Sequence, residues 1–157
     1  MGTFAPFLDE EGVELLGAEA GGRGPLPGDH SASLTGGRVG VLHGARTYVL
    51  QDDDGQVLDT HSISAGLDYP GVGPQLSALK DTRRASFVAV TDEQALEGFQ
   101  ALATYEGILP ALEPAHAVFV AMQRAREMER DEVIVITISG RGDKDMATVA
   151  DAMGVKL

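Results

Sequence analysis

The sequence predicts an α/β fold, with a mostly parallel sheet covered by helices on both faces to give three layers. The second half of the chain alternates strand, helix, helix, strand and helix patterns. The run Glu132–Ile138 is too apolar to have a wet face, as expected for a strand buried on both sides. A chain of 157 residues is of the size of one compact domain.

The first half of the chain predicts short strands joined by loops. Residues 13–18 have the pattern of a strand, and Glu19–Gly24 predicts a flexible turn after it. Residues Arg38–Leu42 and Thr47–Leu50 predict a hairpin, followed by a turn at Asp52–Gly55. Glycine and proline are frequent between these elements, so few helices are expected there.

Regular elements follow from residue 74 onward. Pro74–Asp81 predicts a short helix and Ala85–Val90 a strand. Thr91 and Gln94 have the spacing of a capping box, which predicts the start of an amphipathic helix that ends at Gly107.

The remaining elements complete the α/β pattern. Pro114–Met128 predicts a second helix with one apolar face, and Glu132–Ile138 the buried strand. A last helix is expected over Asp143–Met153, where Gly154 has the position of a left-handed C-terminal cap.

Composition excludes several classes of function. The formal net charge of −12 argues against binding of nucleic acid, which depends on neutralising phosphates. The chain contains no cysteine, so disulfides and thiolate metal sites are excluded. No apolar run is long enough to predict a membrane span, and a cytoplasmic location is expected by default.

The segment Ser139–Asp145 has the most specific chemistry. A strand, a glycine turn and a helix in that order bring backbone N–H groups and one hydroxyl to the carboxyl end of a sheet. This arrangement is typical of sites that bind an anion or a heterocycle. The alternative is a plain strand-to-helix connection whose glycines only satisfy geometry.

The loop His61–Pro74 is the second candidate, because its glycines and prolines leave carbonyls and amides available to a ligand or an ion. A plain surface connection is the alternative. The acidic run at Asp52 superficially suggests a calcium loop, but Ile63 stands where the bidentate acid is required. The four histidines have no paired spacing, so no zinc site is predicted.

Several motifs, with their spacing, resemble the carboxyl-terminal part of the β chain of tryptophan synthase, a fold-type II enzyme dependent on pyridoxal phosphate. The matching segments are Gly37–Gly40, Asp54–Gln56, Ser62–Gln75, Glu106–Glu113 and Ser139–Asp145. The resemblance implies one partial domain over residues 1–157, with glycine-rich loops and short strands in 1–75 and regular α/β structure in 76–157. A related β-replacing or β-eliminating enzyme is the alternative within the superfamily.

The resemblance also implies roles for individual residues in cofactor binding. Ser139 matches the residue whose hydroxyl meets the pyridine nitrogen, and Gly140 flanks it where the ring approaches the backbone. Glu113 matches a carboxylate near the cofactor.

A second group of matched residues concerns substrate and ions. Asp68 matches an acid that turns toward the substrate when the active site closes. Tyr69 and Gly71 match positions whose carbonyls contribute to a monovalent-cation site. His43 departs from the aromatic residue frequent in the family, which puts the lining of the indole tunnel in doubt.

In the family, the lysine that forms the Schiff base and the glycine-rich phosphate cradle precede the part matched here. Neither Lys80, Lys144 nor Lys156 matches that lysine, so the chain by itself is expected to be inactive. The intact enzyme is expected to join indole and L-serine and to pair with the tryptophan synthase α chain. Self-association is expected from uncovered sheet surface, and binding to a membrane is not.

A hypothesis from a different class remains open. The chain is then a folded, non-catalytic module that binds a phosphate or aromatic ligand, or pairs with an amino-terminal fragment.

Overall fold

A computed structural model of the chain describes residues 1–156; Leu157, the last residue of the predicted domain, lies outside the described residues. The structure is mixed α/β, as predicted, and divides into two compact units, Met1–Ala89 and Val90–Leu157. The third layer and the single-domain organisation stay predictions. No helix within residues 1–156 is long and apolar enough to cross a membrane.

The first unit contains short strands and helices joined by long loops. Its elements are β1 (Leu16–Gly22), α1 (Ser33–Gly36), β2 (Arg38–Leu42), β3 (Ala45–Val49), α2 (Pro74–Asp81) and β4 (Ser86–Thr91), the last of which runs into the second unit. Strand β1 pairs with β4, and β2 pairs with β3 in an antiparallel hairpin.

The hairpin pairing, the turn after it and the short helix at Pro74 are confirmed, although the second hairpin strand is Ala45–Val49 and not Thr47–Leu50. The hairpin register joins Arg38 to Val49 and Leu42 to Ala45. The Asp52 N–H then donates to the Gln56 carbonyl at 2.9 Å, which closes the turn. Helix α2 has the predicted bounds, with Pro74 at its first turn, where the missing N–H costs nothing.

The prediction for the first strand was wrong in its bounds, since β1 continues through the residues assigned to a turn. The glycines here permit close packing. A Cβ on Gly17 would lie 2.6 Å from the Phe87 ring, and one on Gly22 would lie 2.0 Å from the Asp29 carbonyl oxygen. Glycine inside a strand marks such close approaches as often as it marks a turn.

The second unit is built on two consecutive helices that pack on each other. Its elements are α3 (Asp92–Glu106), α4 (Leu112–Ala125), a 3₁₀ turn (Gly142–Asp145) and α5 (Met146–Ala152). The capping box is confirmed, because the Thr91 hydroxyl accepts from the Gln94 N–H and the Gln94 side chain accepts from the Thr91 N–H. Gly107 ends α3 with a φ of 68°.

Helices α3 and α4 are in close contact at Gly98. A Cβ there would lie 2.3 Å from the Ala115 carbonyl oxygen, so a side chain would force the helices apart. The buried residues around this contact are Ala95, Phe99, Leu112, Ala115, His116 and Val118. Their burial fixes α4, whose first turn carries Glu113.

The predicted buried strand at Glu132–Ile138 is wrong for the described chain, in which residues 132–138 form no strand. The side chains of Val133 and Val135 are 81% and 70% exposed. A strand with this hydrophobic pattern is stable only when strands pair with it on either side and helices cover both of its faces. Residues 1–156 do not supply those neighbours.

The bounds of the last two helices also differ from the predictions. Helix α4 starts at Leu112 because the buried carboxylate of Asp145 accepts from the Leu112 N–H at 2.9 Å, a cap supplied from a distant residue. The last helix is split, since residues Gly142–Asp145 form a 3₁₀ turn before α5. Gly154 follows α5 with a φ of 66°, as predicted.

Candidate functional site

The motif Ser139–Asp145 is held against the segment that leads into α4. The Ala111 N–H donates to the Gly140 carbonyl at 2.9 Å, and the Gly142 N–H donates to the Leu109 carbonyl at 2.8 Å. Between these bonds, Pro110 and Arg141 form an antiparallel bridge. The two segments that the sequence singled out separately are therefore brought together in the second unit.

The glycines of this motif allow the close contact. A Cβ on Gly142 would lie 2.4 Å from the Pro110 carbonyl oxygen, so only glycine fits without a shift of the backbone. A Cβ on Gly140 would lie 3.1 Å from that of Ala111, which is a tight contact. Ser139, just before this pair, is exposed, and its hydroxyl is accessible to a ligand.

Glu113 lies in the first turn of α4 and is bound by Lys144, a residue of the motif Ser139–Asp145. Lys144 Nζ lies 3.1 and 3.0 Å from the two carboxylate oxygens of Glu113 and 2.8 and 2.9 Å from those of Asp145. Hydrogen bonding to Asp145, and then to Glu113, raises the pKa of Lys144. One ammonium group therefore joins a helix-capping acid to the acid that was predicted to face the cofactor.

Asp68, in the first unit, is an exposed carboxylate held by two hydroxyl groups. Thr60 Oγ1 donates to Asp68 Oδ1 at 2.7 Å, and Ser31 Oγ lies 3.2 Å from the same oxygen. No salt bridge joins Asp68 to a cation within residues 1–156. Two hydroxyl groups therefore orient the acid, and no cationic side chain within residues 1–156 is paired with it.

Tyr69 and Gly71 continue the same loop. The Tyr69 ring stacks on His43, with ring centroids 6.2 Å apart and planes at 17°. Gly71 forms an antiparallel bridge with Val49, the last residue of β3. The His43 ring, which departs from the family pattern, is thus in contact with an aromatic side chain that the family resemblance had singled out.

This loop borders a cleft of about 400 Å³ in the first unit. Its walls are mainly apolar and include Phe4, Leu34, Leu76 and Phe87, while Glu19 and Ser31 supply polar groups. A cleft of this volume is in the range of small-molecule sites.

Glu19 in that cleft has a structural role. Its carboxylate accepts from the N–H groups of Leu34 and Thr35 at 2.7 and 2.8 Å, at the start of α1. Burial raises the pKa of Glu19, and the two backbone hydrogen bonds act in the opposite direction. The carboxylate therefore fixes the first turn of α1, which begins two residues after Ser31.

Clusters of His, Cys, Asp or Glu able to hold a metal ion do not occur in the part of the chain that the structure describes.

The residues that position the predicted acids were not found from the sequence. Ser31 and Thr60 hold Asp68, while Lys144, which also binds Asp145, holds Glu113. Lys144 and Asp145 belong to the motif Ser139–Asp145. Their opposite charges at its end could have indicated from the sequence that this part of the motif forms ion pairs. Ser31 belongs to no motif, and only tertiary structure brings it to Asp68.

Two curated proteins are similar to this chain over its whole length. No protein-family model matches the chain. It is 54% identical over 157 residues to a tryptophan synthase β chain of Nitrosomonas europaea, covering 100% of this chain and 40% of that protein. It is 56% identical over 157 residues to a tryptophan synthase β chain of Allorhizobium ampelinum, covering 100% of this chain and 39% of that protein. The chain thus spans about two fifths of the length of these relatives, and over its full length it is similar to the carboxyl-terminal portion of tryptophan synthase β chains.

Proposed function

We propose that this chain contributes the carboxyl-terminal part of the active site of a pyridoxal-phosphate lyase of tryptophan biosynthesis. The intact enzyme then replaces the hydroxyl group of L-serine by indole, forming a bond between indole C3 and the serine β-carbon. The observation that carries the proposal is the identity of 54% and 56% to two tryptophan synthase β chains over the full 157 residues. The mixed α/β structure agrees with a partial fold-type II domain.

Residues of the second unit are proposed to bind the pyridine ring. The exposed hydroxyl of Ser139 is suited to the ring nitrogen, because a neutral partner leaves that nitrogen largely unprotonated. Gly140 allows the ring to approach the backbone. Pyridoxal phosphate, when bound, withdraws electrons from the α-carbon of the amino acid.

Glu113 is proposed to lie beside the ring as an ionised group. Its contact with Lys144 at 3.0 Å compensates its charge, which keeps the carboxylate from competing for the ring nitrogen. Ser139 therefore remains the group that faces the nitrogen, and Glu113 acts on the cofactor electrostatically.

Residues of the first unit are proposed to act on substrate and cation. Asp68 turns toward the substrate when the site closes, since its charge is not neutralised by a cation within residues 1–156. The carbonyls of Tyr69 and Gly71 contribute to a monovalent-cation site that needs further ligands from the rest of the intact enzyme.

We propose that the chain alone is inactive, since two of its three lysines are engaged by other groups and none matches the Schiff-base lysine of the resembled family. Lys80 donates to the Leu34 carbonyl and lies 3.9 Å from the centre of the Tyr48 ring. Lys144 is bound by two carboxylates. Lys156 follows the last helix in an exposed position. A lysine that binds the cofactor covalently is therefore expected from the remainder of the intact enzyme.

The proposed partners follow from the same sequence similarity. They are indole, L-serine and a tryptophan synthase α chain in the intact enzyme, and a second copy of this chain when it is alone. A cytoplasmic location stays a prediction.

The decisive experiment mixes this chain with an amino-terminal segment of the Nitrosomonas europaea relative that precedes the matched part. With pyridoxal phosphate, indole and L-serine present, we expect tryptophan only in the mixture. Tryptophan formation by the 157-residue chain alone would contradict the proposed inactivity.

A matched pair of variants tests the role of Ser139 in the same mixture. Ser139→Ala removes the hydroxyl, and we expect a loss of about tenfold or more in tryptophan formation, in the range for one polar contact to a reacting group. Ser86→Ala, at an exposed position of β4, is the control and is expected to retain activity. If neither the mixture nor a full-length chain makes tryptophan, the non-catalytic module becomes the better reading.

A further inference from the structure

The carboxylate of Asp68 is bound on one oxygen only. Both Thr60 and Ser31 lie within hydrogen-bond distance of Oδ1, at 2.7 and 3.2 Å. Oδ2 has no protein partner within residues 1–156. The carboxylate is therefore fixed at one end while the other end faces solvent.

The two hydroxyl donors differ in where they come from. Thr60 precedes Asp68 by eight residues and directly adjoins the loop His61–Pro74, so it is able to move with the acid. Ser31 is 37 residues away in sequence, just before α1, and is only 6% exposed. The Ser31 contact is thus the one that ties the loop to a different segment.

Ser31 also has a second acceptor. Its Oγ lies 3.1 Å from the His61 carbonyl oxygen, about as close as it lies to Asp68. A hydroxyl group has one proton to donate, so the two acceptors share it or compete for it. When Asp68 leaves, the Ser31 hydroxyl keeps a partner, and a buried polar group is not left unsatisfied.

We propose that Ser31 is a positioning residue that holds Asp68 in its resting position. When substrate binds, the Ser31 hydroxyl releases Asp68 and donates to the His61 carbonyl instead. The inference rests on the proposed function, in which Asp68 turns toward the substrate. Because the hydroxyl exchanges one acceptor for another, the release costs less than breaking an ordinary buried hydrogen bond. Ser31 thereby sets how readily L-serine closes the site, without touching the substrate.

The test uses a full-length β chain made by joining this sequence to the amino-terminal segment of the Nitrosomonas europaea relative. In Ser31→Ala the resting position of Asp68 loses one bond, so the KM for L-serine should fall about threefold, with kcat changed less than about twofold. Ser33→Ala is the matched control. Its buried hydroxyl has no hydrogen-bond partner within the described residues, and KM and kcat should stay unchanged.

A second background shows whether Ser31 acts through Asp68. The variant Asp68→Asn is itself expected to be impaired. Adding Ser31→Ala to it should change the KM by less than about 1.5-fold, because the interaction between Ser31 and the carboxylate of Asp68 is already altered. An unchanged or higher KM in Ser31→Ala alone overturns the proposal, as does an equal effect in both backgrounds.

Failure of the proposed function has a different signature. In that case the unsubstituted full-length chain makes no tryptophan at all. The Ser31–Asp68 contact is then measured by urea unfolding of the two single variants and the double variant of the full-length chain. Non-additive midpoints support the contact, and additive midpoints overturn it.

Discussion

The loop His61–Pro74 and the segment Val133–Ile138 show opposite relations between local sequence and structure. The loop is rich in glycine and proline, yet it is bound to its surroundings by specific hydrogen bonds. The Leu50 N–H donates to the Pro70 carbonyl at 2.9 Å, and the Gly73 N–H donates to the Thr47 hydroxyl at 2.9 Å. The apolar segment has the stronger strand pattern, yet it forms no strand within residues 1–156.

The difference lies in the partners that each segment requires. A polar loop is satisfied by single hydrogen bonds from nearby residues, which this chain contains. A strand buried on both faces requires neighbouring strands and two covering layers, which the described residues do not supply. A strong strand pattern therefore shows that a segment needs to be buried between other elements. It does not show whether those elements lie in the same chain.

The largest expected effect concerns association through the exposed segment. Val135→Lys places a charge at a side chain that is 70% exposed, so self-association of the chain should weaken about tenfold or more. Val41→Lys, at a side chain 72% exposed on β2, is the matched control and should leave association unchanged. Sedimentation velocity over a range of concentrations measures both. Equal weakening by the two variants would show that net charge, and not this segment, controls association.

The next effect concerns how the loop is held. Thr47→Val removes the hydroxyl that accepts from the Gly73 N–H and lies 3.1 Å from the Ser77 hydroxyl. Because Thr47 is buried, both groups lose a partner, and the free energy of unfolding should fall by about 1–3 kcal/mol. Thr82→Val, at an exposed residue, should cost less than about 0.5 kcal/mol. Similar losses for both variants in urea unfolding would contradict the importance of this bond.

A smaller effect is expected at the cap of α4. Asp145→Ala removes the carboxylate that accepts from the Leu112 N–H and pairs with Lys144, and it should cost about 1–2 kcal/mol of stability. Asp143→Ala removes an exposed acid paired with Arg141, and the loss should be below about 0.5 kcal/mol. Thermal unfolding ranks the two. The account of α4 is wrong if Asp143→Ala is the more damaging substitution.

The smallest effect depends on pH and concerns His116. The residue is fully buried; its Nδ1 lies 2.8 Å from the Leu112 carbonyl, and its Nε2 has no partner within the described residues. Burial lowers the pKa of His116, so the neutral form is favoured in the folded state. This contribution to stability is complete above the unfolded-state value of about 6.5 and is lost as pH falls toward the folded-state pKa.

The variant His116→Asn isolates that contribution. The stability difference between the unsubstituted chain and the variant should be constant above about pH 7.5 and should shrink at lower pH, by less than about 1 kcal/mol at pH 6. Urea unfolding at several pH values gives the difference. A difference that grows as pH falls would mean that the imidazolium form is the one stabilised by folding.

The sequence predicted those elements whose determinants are local. The capping box at Thr91, the left-handed cap at Gly107, the pairing of the hairpin and helix α2 depend on residues close together in sequence. All are confirmed, apart from the bounds of the second hairpin strand. The start of α4 was misplaced because its cap, Asp145, lies 33 residues away. Strand β1 was misplaced because its glycines serve contacts with Phe87 and Asp29 that no local pattern contains.

The candidate site was predictable to the same extent. Ser139, Gly140 and Glu113 belong to motifs, and the structure brings the two motifs together through the bridge between Pro110 and Arg141. Ser31 was not predictable, because a single serine in a loop carries no signal until the fold brings it to Asp68.

The most direct test of the central claim is a crystal structure of a full-length β chain carrying this sequence, with pyridoxal phosphate bound. The account predicts the Ser139 hydroxyl at about 2.7–3.0 Å from the pyridine nitrogen, and residues 133–138 paired with a strand from the preceding part of the protein. A carboxylate or solvent at the ring nitrogen, or an unpaired and exposed segment 133–138 in the complete protein, would contradict it.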